Sequence, residues 1–467
     1  MMGGATMKRK PVGMMGAVGL CVAATALAAP ALAPQTVGAG PGEEGTTEVL
    51  AIRGGRVVPV SGPEIEDGVV LIESGKIKAV GRAADVRIPD GARIVDVAGG
   101  WVLPGLVESH SVLGRRTPSG PPEGDELADP VTAGLRILDA VNPFDKRFEQ
   151  TARAGITTLM ITPGRANVIG ARPAVVKPQG TTVEEMALLE TAGIKFTLGE
   201  GPKDAFGGRD RLPRTRMGSA YVVRRSLLEA AEYGRKRKEH EEKLAAFQGG
   251  EGEEPPSAPA RNLDLEPLVD LLDGKIPAFI ECHRADDIQT ALRLVDEFGF
   301  RAVLVGAAEG YKLAGEIERR GLPVVVGLLG VGPKRFETMN VTISNAAELA
   351  QAGVKVAIGA DDAYGIGAQE ELALAAALAV KGGLDRETAL RAVTLAAAEI
   401  LGVAHRVGSL EAGKDADVVV YTGDPFHYLT RVAHVFIDGK EIPCCAAQDA
   451  GGTFSESEFN AAFRRKR

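Results

Sequence analysis

The sequence predicts an α/β protein, a (β/α)8 TIM-like barrel with a small β-sandwich built from both chain ends. Three observations predict it. From 104 to 404, short apolar strands alternate with helical stretches, the pattern of a parallel sheet with right-handed crossovers. Before 104 and after 405 the chain reads as strand after strand, each short, Val-rich and bounded by Gly, Pro or Asp turns. Neither terminal β-segment is long enough for its own core, so one small domain shared between the ends is the economical solution. An open doubly wound sheet is the alternative, but no glycine-rich phosphate loop follows the first strand.

Composition bounds the function. The chain has 467 residues, 45% hydrophobic and 25% charged, with a formal net charge of -8. That is ordinary globular usage, and nothing in it suggests a nucleic-acid partner. Residues 1–33 read as a secretory signal: Lys8, Arg9 and Lys10 precede a small-residue apolar run, and Ala31-Leu32-Ala33 fits a cleavage site. Export to the periplasm or the medium is expected, with no membrane association beyond that segment. Residues 34–47 are a Gly- and Pro-rich linker. Of four cysteines, Cys21 leaves with the signal, Cys282 lies in an apolar strand, and Cys444 and Cys445 are adjacent. Vicinal cysteines rarely pair without strain, so no disulfide framework is expected.

The elements follow in order. Strands are expected at 49–53, 56–60, 68–73, 76–80 and 93–97, with Ser74-Gly75 as a hairpin turn, giving a first sandwich segment at 48–103. Pro104-Gly105 then cuts one apolar run from the next, because proline cannot donate to a ladder and glycine relaxes the backbone. The second run carries Glu108, His110 and Val112 two apart, on one face of a strand. Polar groups at the end of a parallel strand sit where barrel enzymes place their chemistry. Further barrel strands are expected at 156–161, 174–176, 194–198, 276–280, 302–305, 323–326 and 354–358, with helices such as 285–298 and 309–320. An insertion at 217–260 pairs a mixed-charge helix with a Gly/Glu/Pro-rich loop. Strands at 417–421 and 431–437 complete the sandwich within 405–445, and the polar tail 446–467 is expected to fray.

Pro104-Gly105-Leu106-Val107-Glu108-Ser109-His110-Ser111-Val112 resembles the Pro-Gly-Leu-(Ile/Val)-Asp-x-His-x-His entry of the amidohydrolase superfamily. Gly408-Ser409-Leu410-Glu411-Ala412-Gly413-Lys414-Asp415-Ala416-Asp417 is similar to its closing signature. Glu281-Cys282-His283-Arg284-Ala285-Asp286-Asp287-Ile288 resembles His-x-His-Arg-Ala-Asp-Asp-Ile of an imidazolonepropionase- and prolidase-like subgroup. The resemblance implies a metal-dependent hydrolase of a C–N bond in an amide, cyclic amide or dipeptide-like substrate. It also implies which residues survive. His110 stands at the first metal-binding His and Asp361, in Gly359-Ala360-Asp361-Asp362, at the strand-eight Asp that binds metal and accepts the proton. Lys177 stands for a strand-four lysine, and Glu281 replaces a His by a carboxylate that can still ligate. Val112 and Gly306 stand where two further His belong and offer no donor.

Of the six His, only His110 and His283 fall at barrel strand ends, so a four-imidazole binuclear site cannot be assembled. The expectation is therefore one divalent ion, zinc, on His110, Glu281 and Asp361, with ligating atoms about 3 to 4 Å apart. Asp362 or Glu108 is the spare carboxylate, His283 supports Glu281, and Lys177 or Arg284 holds a substrate carboxylate. The alternative is a non-catalytic paralogue without metal, acting as a binding protein or as the partner subunit of an active relative. Homo- or hetero-oligomers are expected under either reading.

Overall fold

The computed structural model describes residues 49–115, 123–209, 211–248, 254–327, 329, 335–359 and 372–443. The expected signal, linker, tail, Cys444, Cys445, Asp361 and Asp362 lie outside the described residues. The N-terminal strands are β1 (Val49–Val57), β2 (Ile65–Glu73), β3 (Lys76–Arg82), β4 (Arg93–Asp96) and β5 (Trp101–Pro104). The central strands are β6 (Leu106–Ser111), β7 (Ile156–Ile161), β8 (Ala174–Val176), β9 (Ala187–Leu189), β10 (Ile194–Thr197), β11 (Ala278–Cys282), β12 (Ala302–Gly306), β13 (Val324–Val326) and β14 (Val356–Ile358). The C-terminal ones are β15 (Val418–Tyr421), β16 (Val432–Ile437) and β17 (Lys440–Ile442).

The two ends of the chain share one sheet, in the order β17-β16-β15-β5-β1-β2-β3, with β4 beside β1. Alternation along β15 shows why it holds. Val418 and Val420 pack inward with Ile52, Val70, Val102 and Phe436. Val419 and Tyr421 face the other way, against Leu390, Leu395 and Ala152 of the barrel helices. The sheet curls until Lys76 bridges Asp415 and the Ile77 N–H meets the Lys414 carbonyl. The hairpin at Ser74 and Gly75 has φ of 53° and 75°, the left-handed pair that a tight β2–β3 turn requires.

The break at Pro104-Gly105 is the hinge between the two sheets. Pro104 ends β5 opposite Val418, and the Gly105 N–H already reaches the Asp417 carbonyl. One residue later β6 runs parallel to β7. A Cβ on Gly105 would lie 2.0 Å from Thr157 Oγ1, so only glycine lets the backbones approach this closely. Gly105→Ala is expected to lower the unfolding free energy by about 1–3 kcal/mol through overpacking, read from the urea midpoint.

β10 to β14 form a five-stranded parallel sheet in chain order, and β14 packs back against β6. The interior is filled by Val107, Met160, Phe279, Val303, Val305, Val325 and Ala357. The third position departs from the expected pattern of parallel units. There β8 is antiparallel to β7, and residues just upstream are antiparallel to β10, with Thr197 N–H on the Val168 carbonyl and Gly170 N–H on the Lys195 carbonyl. The physical reason is the link 162–173, which contains no helix to carry a parallel crossover.

The insertion helix spans Arg216–Ala246, capped by Thr215 accepting from the Gly218 N–H. Its first half buries Val222, Val223, Leu227 and Ala230. Its second half is solvated and laced by pairs such as Arg235–Glu232, as the mixed charge suggests. Among the described residues, no helix is long and apolar enough to cross a membrane.

Candidate functional site

Four polar side chains meet at the C-terminal ends of the barrel strands. His110 comes from the end of β6, Lys195 from β10, Glu281 from β11, and His283 from just beyond β11. The pairing of β6 with β7 is irregular between Glu108 and Ser111. Such irregularities re-aim side chains, and here the His110 ring turns to Lys195. Lys195 lies opposite Phe279, below the level of Glu281, so its stem rises through the apolar interior to bring the ammonium to the carboxylate.

The geometry is tight. Lys195 Nζ lies 2.8 Å from His110 Nε2 and donates to Glu281 Oε2 at 2.7 Å. Those two acceptors are 3.9 Å apart. His283 Nε2 is 3.6 Å from Glu281 Oε1, and Arg165 Nη1 lies 3.7 Å from that oxygen and 3.9 Å from Glu337 Oε1. Glu337 is itself buried and accepts the Glu200 N–H at 2.8 Å.

Charge states follow from burial and neighbours. Burial, reinforced by the Lys195 ammonium, holds His110 well below the usual imidazole range, so the ring is neutral at physiological pH. Burial pushes the Glu281 carboxyl up, but Lys195 and the two histidines outweigh it and hold it well below the usual carboxylate range. Burial raises Glu337 and, in the neighbouring loop, Asp125. A neutral imidazole and an ionised carboxylate thus flank the Lys195 side chain at one buried point.

The expected site residues divide as follows. His110, Glu281 and His283 are brought together. Glu108 is fully buried, and its Oε1 accepts the His110 backbone N–H at 2.8 Å, so it braces the strand end instead of standing spare. Arg284 makes a two-point pair with Asp286 and lies over the Phe336 ring at 5.2 Å.

Lys177 is the clear correction. Its ammonium is held by Asp415 Oδ2 at 2.8 Å, Asp417 Oδ1 at 3.0 Å and Asp438 Oδ1 at 2.7 Å, at the sandwich. Because β8 runs antiparallel to β7, it delivers Lys177 to the opposite end of the barrel from His110, and neither a metal nor a substrate role at this site fits. The lysine of the site is Lys195, which sequence reasoning missed. The signal was present: a lone charge inside Ile194-Lys195-Phe196-Thr197-Leu198, in a residue type almost never fully buried unless paired. Arg165 comes from a loop and Glu337 from a single 3-10 turn, Phe336–Thr338, both too short to carry a periodic signal.

The Amidohydrolase family profile matches residues 286–442. A solved amidohydrolase from Thermotoga maritima MSB8 is 35% identical, covering 85% of this chain and 100% of that one, with a TM-score of 0.77. The chain belongs to the amidohydrolase family. Amidohydrolase tasK of Hapsidospora irregularis is 28% identical over 390 residues, which are 80% of this chain but only 39% of tasK. A dihydroorotase of Anaeromyxobacter dehalogenans is 28% identical over 472 residues, 89% of this chain and 99% of that protein. The likeness to the Thermotoga structure also supports the barrel with a terminal β-sandwich.

Amidohydrolases typically bind a divalent metal such as zinc. The described residues of this chain do not fit that group. Val112 is buried and apolar where a donor is needed. At Gly306, φ is +80°, and a Cβ would lie 2.4 Å from His283 Cε1, so the His283 ring fills the space a strand-six ligand would need. The point where His110 and Glu281 converge is taken by the Lys195 ammonium. Gly306→Ala is therefore expected to cost about 1–3 kcal/mol in unfolding free energy, from both the positive φ and the contact with His283. Urea denaturation checks it.

Proposed function

We propose that this amidohydrolase-family chain hydrolyses the C–N bond of a small amide, cyclic amide or dipeptide-like substrate at the His110–Lys195–Glu281 cluster. The observation that carries the reading is the buried ammonium flanked by a neutral imidazole and an ionised carboxylate at the C-terminal ends of the barrel strands, where barrel enzymes work. An ammonium has three N–H donors. Two are used by His110 and Glu281, and the third has no acceptor among the described residues. A substrate carbonyl oxygen on that third N–H is polarised in a water-poor site, where such a contact is strongest. Glu281 is the adjacent group able to take a proton from attacking water. Lys177 and Arg284, engaged elsewhere, are not placed to hold a substrate carboxylate.

A second reading, a non-catalytic binding protein or partner subunit, is favoured by one observation, the loss of donor chemistry at Val112 and Gly306. Export of the chain after removal of residues 1–33 is proposed under both readings.

The test is a panel of dipeptides, N-acyl amino acids and cyclic amides offered to the wild type and to Glu281→Gln. Turnover of one class, reduced about 100-fold or more in the variant, is expected, in line with losing a charge-stabilising group. Stabilisation by panel members without turnover would instead establish the binding reading.

A further inference from the structure

We propose that the single cation this site is built around is the chain's own Lys195 ammonium, standing where the family places a divalent ion. The inference rests on the one-cation reading of the cluster and not on turnover.

Space makes the first argument. An ion shared by His110 Nε2 and Glu281 Oε2 would bond each at about 2 Å. Those atoms are 3.9 Å apart, so the ion would lie between them. Lys195 Nζ already lies 2.8 and 2.7 Å from the pair, and the two positions cannot both be filled. The lysine is also held in place. Its side chain is fully buried, and β10 is paired to β11 on one side and to the Val168–Ala171 stretch on the other.

Charge makes the second argument. The ammonium and the Glu281 carboxylate neutralise each other at a buried point, and a buried ion pair is tolerated only when its partners are matched in this way. Arg165 lies 3.7 Å from the same carboxylate, so a divalent ion added beside Lys195 would face two cations already drawn to Glu281. Carboxylation of Lys195 would reverse its sign and set an anion 2.7 Å from the Glu281 carboxylate. Like charges at that distance are unfavourable unless cations are supplied to separate them.

The third argument is the way the rest of the site has closed. Glycine at 306 admits the His283 ring into the strand-six position, and Val112 seals the strand-one position with an apolar side chain. A site still serving an ion would leave those directions open to a donor or to water.

The experiment uses the purified full chain. Its metal content is measured as isolated. After EDTA treatment, zinc is titrated calorimetrically and the melting temperature is recorded with and without zinc. His110→Ala and Lys195→Ala are run in parallel. The expected result is no stoichiometric metal in the wild type, no zinc uptake, and a melting temperature that neither EDTA nor zinc moves. Lys195→Ala, if it folds, is expected to melt lower and to regain part of the difference with methylammonium but not with the bulkier tetramethylammonium. About one zinc per chain in the wild type, removed by EDTA with a fall in melting temperature and lost in His110→Ala, would overturn the proposal. The wild-type measurements decide even if Lys195→Ala does not fold. None of them depends on the amide panel, so a failure here and a failure of the hydrolase reading can be told apart.

Discussion

Lys195→Met is expected to destabilise the protein by about 3–5 kcal/mol, the cost of leaving a buried carboxylate without its partner. Glu281 is 6% exposed, and Lys195 is the strongest force keeping it ionised against burial. Methionine fills most of the lysine stem's volume, so the loss measures charge and not a cavity. Adding Glu281→Gln should restore much of it, because the amide needs no counter-ion. A double-mutant cycle by urea denaturation at neutral pH reads the coupling, and a coupling near zero would mean that the pair contributes nothing. The sign of the pH dependence should also change. In the wild type the folded-state pKa of Glu281 is depressed, so its contribution is present above the unfolded value of about 4 and lost as pH falls through the folded one. Without Lys195, burial raises the folded-state pKa instead, and stability should then decline as pH rises from about 4.

Lys177→Met is expected to be about as damaging, again about 3–5 kcal/mol, at the opposite end of the barrel. Lys177 is the shared donor to Asp415, Asp417 and Asp438. Asp415 also meets Lys76 at 2.5 Å and Arg406 at 2.7 Å, so it keeps cations when Lys177 is removed. Among the described residues, Lys177 is the cation that pairs with Asp417, which is 3% exposed. The pH signature separates the two carboxylates. Burial pushes Asp415 up, but Lys177, Lys76 and Arg406 bring it down to about 2, so its stabilisation is present above its unfolded value near 4 and lost as pH falls toward 2. Burial pushes Asp417 up to about 6 despite Lys177, so its contribution runs the other way and stability is lost as pH rises from about 4 to 6. Lys177 itself is raised despite burial by the three aspartates, so its stabilisation is complete below about 10.5 and lost as pH rises through the higher folded value. Removing Lys177 should raise Asp417 further and steepen the decline above about pH 4. Urea midpoints across that range check it, and equal slopes in variant and wild type would dismiss the hub as a source of stability.

Much of the fold was legible because it rests on local rules. Alternating Val-rich strands at both ends pointed to a shared β-domain, and Pro104-Gly105 marked the point where the chain passes from one sheet to the other. Ser74-Gly75 set a turn that only left-handed φ values allow, and the helix at Arg216–Ala246 was readable from its charge pattern. The site was only half legible. His110 and Glu281 stood out as strand-end polar residues carried by motifs. Lys195 did not, because its motif-free strand reads as plain core, and the lysine chosen instead, Lys177, sits at the end of a strand whose direction no local pattern reveals.

By itself, the sequence determined the family, the order of the longer strands, and the absence of side-chain donors at positions 112 and 306. Those properties depend on residue identity and near-neighbour spacing. The tertiary structure alone decided which lysine faces His110 and what fills the space beside Gly306. It also decided that Lys177 joins the barrel to the sandwich. These depend on strand direction and on contacts between residues far apart in the chain. Reversing a single strand carries its terminal charge from one end of the barrel to the other without changing a residue.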